Sequence, residues 1–444
     1  MKNLKLVFSH KGFMKYFKNT SWLFFEKFLR MAVGITVTVW IARYLGPEKF
    51  GLFSYAQAFV ILFSSIATLG LDSIVVRELV KDERKRDFII ATAFYLKFVG
   101  ALAVLAIISI AIRFTSNDHD TNVLIFIIAS ATIFQSFNVI DFYFQSKVMS
   151  KYVVYVNIFS VVVSSIIKII LILTEAPLIA FAWIVLFDSI VLALGLSYFY
   201  IKKNSISSIK FLKFKQSTAI NLLHDSWPLL LSGAVISIYM QVDQVMIKEI
   251  LSVADVGQYA AAVQLSRAWY FIPMIITSSL FPAIINARKT NKKLYYERLQ
   301  KLFAFMVWLA IVVAIIITFI SDWLINLLYG QMYNQAAGVL VIHIWTGIAV
   351  GYGLVWTRWL LAENLQKMVV VFHILTLILN VAFNLYFLPI MGVTGAAFAT
   401  ALASSLSQLA GILTLKRDIA LKFLINSLLP IKLINMNKSY AKSN

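Results

Sequence analysis

The chain has 444 residues, 61% of them hydrophobic and 14% charged, with a mean hydropathy of +0.83 and a formal net charge of +20. A water-soluble fold of this size cannot hide so much apolar surface, so most of its solvent is lipid. Cysteine is absent, which excludes disulfides, thiolate metal sites and a thiol nucleophile, and the five histidines show no metal-ligand spacing.

The opening segment, MKNLKLVFSHKGFMKYFKNT, is basic and broken up by lysines. It lacks the apolar core and cleavage site of a signal peptide, and residues 1–20 read as an amphipathic lead-in at the membrane interface. Apolar runs of about 20 residues follow, the length at which a helix crosses a ~30 Å hydrocarbon core. They predict twelve spans, at 21–45, 52–76, 88–113, 121–146, 151–173, 177–201, 225–250, 257–285, 301–328, 335–362, 367–388 and 392–415. Spans 1–6 form an N-lobe (21–201) and spans 7–12 a C-lobe (225–415), joined by a basic linker (202–224) and followed by a basic tail (416–444).

The charges support an even number of spans. Lysine and arginine crowd the N-terminus, the even-numbered gaps (RELVKDERKRD after span 2, ARKTNKKLYYERLQK after span 8) and the tail. The odd-numbered gaps hold little beyond Arg43, Lys49, Arg113 and Lys248. By the positive-inside rule both termini are cytoplasmic. The positive charge then serves topology and anionic headgroups, and no segment between spans is large enough to bind nucleic acid.

Two echoes reveal a repeat. WIARYLGPEKFGLFSYA (40–56) matches MIKEILSVADVGQYAAA (246–262), aligning Leu45 with Leu251, Gly51 with Gly257 and Phe53 with Tyr259. SKYVVYVNIFSVVVSSIIKIILI (150–172) matches QKMVVVFHILTLILNVAFNLYFL (366–388). Asn157, Ser160, Ser164 and Lys168 lie on one helical face of the first, and His373, Thr376, Asn380 and Asn384 take the same places in the second. The repeat unit is six helices, an even number, so both copies enter the membrane in the same orientation. The expected fold is all-α and integral to the membrane, twelve transmembrane helices in two six-helix lobes related by a pseudo-two-fold along the membrane normal. Gly46-Pro47 breaks span 1, and the turn LGPEKFG reads as structural.

Ionisable groups within spans cost roughly 2.5–3.5 kcal/mol each and mark cavities. Glu26, Lys27 and Arg30 share a face of span 1, Lys97 lies in span 3, Lys168 in span 5 and Arg267 in span 8. Gln241 and Gln244 lie on span 7, with Asp243 off their face, and Asp188 is in span 6. Several cations with few anions suit a phosphate or pyrophosphate, and the Ser, Asn and Gln stripes can meet sugar hydroxyls. The candidates for binding an anionic, glycosylated lipid are therefore Lys27, Arg30, Lys97, Lys168, Arg267, Asn157, Ser164, Gln241, Gln244 and Asn380. Glu26, Asp188 and Asp243 are the candidates for loading a coupling ion, and no metal site or catalytic group is expected.

WIARYLGPEKFGLFSYAQAF followed by LGLDSIVVREL resembles the start of bacterial polysaccharide-biosynthesis flippases, the O-antigen repeat-unit translocases of Wzx type, and LPIMGVTGAAFATALA (388–403) resembles their last helix junction. The resemblance covers nearly the whole chain. It implies membership of the multidrug/oligosaccharidyl-lipid/polysaccharide exporter superfamily, with two lobes and alternating access. It also implies transfer of an undecaprenyl-pyrophosphate-linked oligosaccharide from the cytoplasmic to the periplasmic leaflet of the bacterial inner membrane, for O-antigen or lipopolysaccharide biosynthesis. Polysaccharide polymerase and other assembly proteins are the implied partners. It implies coupling to a proton or sodium gradient with no cofactor, and no GxxxxGK[ST] is present. A multidrug/cation antiporter of the same superfamily is the alternative. A membrane polymerase or glycosyltransferase fits less well, because no outward gap is long enough to assemble paired carboxylates.

Overall fold

The computed structural model describes residues 11–204, 213–414 and 417–428, and among these residues it contains helices and no strand. Apolar segments in lipid must satisfy their backbone groups internally, and helices do so within one segment. Among the described residues ten helices are long and apolar enough to cross a membrane, and the pair 331–343 and 346–362, bent by 44°, makes an eleventh when counted as one span. Ser21–Lys81 is 61 residues long, too long for one crossing at about 1.5 Å per residue. Gly46, at φ 69° and ψ 172°, leaves the helical region there, and Pro47 follows it. Counted as two spans, this helix brings the total to the expected twelve.

The chain forms two compact units. Unit 1 comprises Met1–Leu45 and Leu52–Gln241. Its elements are α1 (Lys11–Thr68), α2 (Asp72–Lys81), α3 (Arg86–Ala111), α4 (His119–Phe134), α5 (Val139–Ser146), α6 (Lys151–Leu173), α7 (Leu178–Asn204) and the first part of α8 (Gln216–Ile250). Leu71, Val75, Ile90, Phe144, Val156 and Leu196 form its core, together with Leu222 of α8. Unit 2 comprises Gly46–Gly51 and Val242–Asn444. It contains the end of α8, then α9 (Val253–Ala268), α10 (Phe271–Thr290), α11 (Lys292–Tyr329), α12 (Asn334–His343), α13 (Thr346–Ala362), α14 (Gln366–Met391), α15 (Val393–Thr414) and α16 (Arg417–Leu428). Its core is aromatic-rich, built from Phe303, Trp356, Trp359 and Phe423 with Leu299 and Leu360.

The spans differ from expectation in several places. Span 7 begins at Gln216, inside the expected 202–224 linker, because Ala219 and Leu222 bury themselves in unit 1 and draw the helix onward. Spans 4, 8 and 10 are each interrupted, by a 3-10 turn at Gln135–Asn138, at Trp269–Tyr270 and at Ile344–Trp345. Part of the expected tail is α16, which presents Phe423 to Phe303 with ring centroids 5.0 Å apart, while buried Gln300 donates to the Phe423 carbonyl and the Ser427 hydroxyl. Residues 1–10 of the lead-in, 205–212 of the linker, 415 at the end of span 12, and 416 and 429–444 of the tail lie outside the described residues.

The LGPEKFG turn explains the first sequence echo. Residues 46–51 dock within unit 2 against the start of α9. A Cβ on Gly51 would land on the Val253 carbonyl oxygen and 2.8 Å from the Gly257 nitrogen, and a Cβ on Gly257 would land on the Pro47 carbonyl. Pro47 and Val253 occupy equivalent places in the repeat, as do Gly51 and Gly257, so the two copies cross reciprocally. Only glycine permits so close a backbone approach.

Candidate functional site

Asp243, on α8, is a heavily engaged acid of unit 2. It is 1% exposed. Its carboxylate accepts from Tyr259 Oη at 2.6 Å, Asn384 Nδ2 at 2.7 Å, Thr400 Oγ1 at 2.8 Å and Asn380 Nδ2 at 3.0 Å. These donors come from α9, α14 and α15. Asn380 and Asn384 are one turn apart on α14 and share the face predicted from the repeat. All four partners are neutral. Asn384 Oδ1 is buried without a hydrogen-bond partner among the described residues. A buried carboxylate is costly in a low-dielectric interior unless its charge is matched. An asparagine amide can turn end for end within the same envelope, and turned this way Asn380 and Asn384 place oxygens beside the carboxylate. With the Thr400 and Tyr259 hydroxyls they make a set of hard oxygen ligands suited to a small monovalent cation, or to a proton on Asp243. Among the described residues no three His, Cys, Asp or Glu side chains come together to hold a metal ion.

The same network extends away from Asp243. The His343 ring stands at 85° to that of Tyr259, with centroids 6.2 Å apart, and its Nδ1 lies 2.8 Å from Ser266 Oγ. His343 Nε2 is buried without a hydrogen-bond partner among the described residues. Half-buried Arg267 on α9 lies within electrostatic reach of both Tyr259 and His343.

Unit 1 carries a related arrangement with one difference. Asp188 of α7 receives Ser160 Oγ at 3.3 Å and Lys168 Nζ at 3.5 Å, with Ser164 also bonding to it. Ser164 and Lys168 are the repeat equivalents of Asn380 and Asn384. Each stripe therefore addresses one carboxylate. In unit 1 the stripe supplies its own cation, Lys168, and in unit 2 an asparagine stands in that place.

A second group of charges in unit 1 surrounds Lys97. This lysine is 2% exposed, pairs with Asp72 at 3.0 Å and lies over the Phe142 ring at 4.8 Å. Buried Glu26 pairs with the more exposed Arg30 at 3.2 Å. Asp141 of α5 is within electrostatic reach of Glu26, Asp72 and Lys97, and its buried Oδ1 has no hydrogen-bond partner among the described residues.

The structure thus brings Asp243 together with Asn380, Lys168 with Asp188 and Ser164, and Glu26 with Arg30. Lys27 is exposed, Asn157 and Gln241 are half-buried, and Gln244 is buried. Asn384 and Ser160 entered only as members of the repeat stripes, and Tyr259, Thr400, Ser266, His343, Asp72 and Asp141 were not among the predicted site residues. The repeat held a signal for one of them, because Phe53 becomes Tyr259 and the added hydroxyl is the one that reaches Asp243.

Comparison with known proteins places this geometry in context. The family model described as "Polysaccharide biosynthesis protein" matches residues 16–288. "Lsg locus putative protein 1" of Haemophilus influenzae is 24% identical over 400 residues, covering 86% of this chain and 96% of that protein. "Probable lipid II flippase MurJ" of Helicobacter pylori is 31% identical over 135 residues, 29% of each chain. Among solved structures, the inward-facing conformation of a multidrug resistance MATE family transporter of the MOP superfamily superposes with a TM-score of 0.71 at 14% identity, covering 92% of this chain and 96% of that one. Lipid II flippase MurJ in its inward closed conformation gives 0.69 at 16% identity, covering 93% and 91%. At these identities the two structures establish the fold.

Proposed function

The chain belongs to the polysaccharide biosynthesis protein family, and from that premise we propose that it is a flippase for a lipid-linked oligosaccharide. The substrate is an undecaprenyl-pyrophosphate-linked repeat unit of O-antigen or a similar surface polysaccharide. It moves from the cytoplasmic to the periplasmic leaflet of a bacterial inner membrane by alternating access, with both termini cytoplasmic and no covalent chemistry. The relatives support a lipid-linked cargo, since one is named a probable lipid II flippase.

The observation that carries the energetic half of the proposal is Asp243, a buried carboxylate met by four neutral partners beside an orphaned amide oxygen. A sodium ion or proton loaded there couples transport to an ion gradient. Entry of the cation neutralises Asp243 and reorients Asn380 and Asn384, which changes how α8, α9, α14 and α15 hold one another. Among the predicted cations, Lys27 of unit 1 and Arg267 of unit 2 are each candidates for the pyrophosphate, and Arg30 is paired with Glu26. Lys97 and Lys168 have their charge matched by Asp72 and Asp188 and serve to join helices. Asn157, Gln241 and Gln244 are assigned to sugar hydroxyls. The test is deletion of the gene, after which the lipid-linked intermediate should accumulate on the cytoplasmic leaflet with its sugars inaccessible from outside. An unchanged distribution of the intermediate refutes the assignment.

The MATE likeness keeps a second reading in view, a drug/cation antiporter using the same Asp243 site. A deletion strain that becomes drug-sensitive while displaying normal surface glycan favours that reading.

A further inference from the structure

A cleft of about 210 Å3 opens in unit 2, lined by Arg288, Lys292, Tyr295, Tyr296 and Glu363. One water needs about 10–15 Å3 of such space, so the cleft has room for a polyatomic group. Its base is built from fixed parts. The Arg288 guanidinium pairs with Glu363 at 3.3 Å and donates to the Ala362 carbonyl, and Tyr295 Oη donates to the same carboxylate at 3.3 Å. These contacts occupy the one acid among the described residues that line the cleft. A guanidinium has five N–H donors, so Arg288 keeps donors to spare. Lys292 is exposed at the first turn of α11 and makes no hydrogen bond or ion pair with any described residue. The positive end of that 38-residue helix adds to the two cations.

Two cations, tyrosine hydroxyls and an acid already engaged make a receptor for a phosphate group. The surroundings indicate which kind. Tyr296 packs on Phe423 of α16 with centroids 6.2 Å apart, so α16 borders the cleft. On that helix Ile425 and Leu428 are exposed, and Leu361 is exposed two residues before Glu363. Apolar surface for acyl chains thus flanks a polar cleft, and tyrosine pairs of this kind sit at membrane interfaces. Residues 288–301 also belong to a basic stretch on the side where the charge pattern places the cytoplasm, the side richest in anionic lipid.

We infer that this cleft is a binding site for the phosphate of an anionic phospholipid, distinct from the site that carries the transported lipid. The inference does not depend on the cargo proposed above. The test uses the full chain, purified in detergent and examined by native mass spectrometry with equimolar phosphatidylglycerol and phosphatidylcholine. The expected result is preferential retention of one phosphatidylglycerol. Lys292→Gln should weaken that retention about fivefold, the effect of one lysine at an anionic surface, and Lys292→Glu should weaken it further, both with unchanged melting temperature. Equal retention of the two lipids, or phosphatidylglycerol retention unaltered in both variants, overturns the inference. Complete displacement by millimolar inorganic phosphate overturns the lipid assignment in favour of a free anion.

Discussion

Gly51→Ala should destabilise the protein although it adds a single methyl group. The new Cβ would overlap the Val253 carbonyl oxygen and come 2.8 Å from the Gly257 nitrogen. Both obstacles are backbone, so no side chain can swing aside. Overpacking of this kind costs about 1–3 kcal/mol, equivalent to roughly a 5–150-fold loss in the population of the docked turn. Gly34→Ala is the control, because nothing lies within 4 Å of the Cβ it would add to α1. The assay is thermal unfolding of wild type and three variants in one detergent. Gly51→Ala should melt below wild type while Gly34→Ala matches it, and Gly257→Ala should behave like Gly51→Ala because its Cβ meets the Pro47 carbonyl. Equal melting temperatures for Gly51→Ala and Gly34→Ala would show that the two repeat copies do not cross as described.

Tyr259→Phe restores the residue found in the first repeat copy and removes a 2.6 Å bond to a charged acceptor. It should cost about 1.5–3 kcal/mol of stability and weaken cation-dependent stabilisation, both measurable by melting with and without sodium. Lys168→Met leaves Asp188 without its cation, so surface glycan display should fall. The Lys168→Met/Asp188→Leu double variant should recover much of the stability, since an uncompensated charge is worse than an apolar pair, and double-variant melting near that of Lys168→Met alone would argue against the pairing. Phe423→Ala empties a fully buried ring site between α11 and α16 and should destabilise by about 3–5 kcal/mol, read as a loss of folded protein on size exclusion.

The number of spans was readable because lipid imposes a length and the basic gaps impose a parity. The polar stripe of α14 was readable too, since Asn380 and Asn384 repeat at helical spacing in an apolar run. Thr400 was not, because it sits among the alanines and serines of α15, where small residues serve helix packing and a hydroxyl carries no periodic signal. The Lys97–Asp72 pair joins α3 to α2, and no local rule says which of several acids a buried lysine will meet. The bend between α12 and α13 has neither proline nor glycine at Ile344–Trp345, so punctuation could not announce it. It follows the residue that bonds Ser266, His343.

The most direct test of the central claim is a proteoliposome assay with a fluorescent undecaprenyl-pyrophosphate-linked oligosaccharide, following its exposure on the opposite leaflet under an imposed sodium or proton gradient. The account predicts protein-dependent translocation accelerated by one of the two gradients, with Asp243→Asn folding normally yet losing at least tenfold in rate and all gradient dependence. Translocation no faster than in protein-free vesicles would contradict the assigned cargo, and a gradient response retained in Asp243→Asn would contradict the role of this carboxylate.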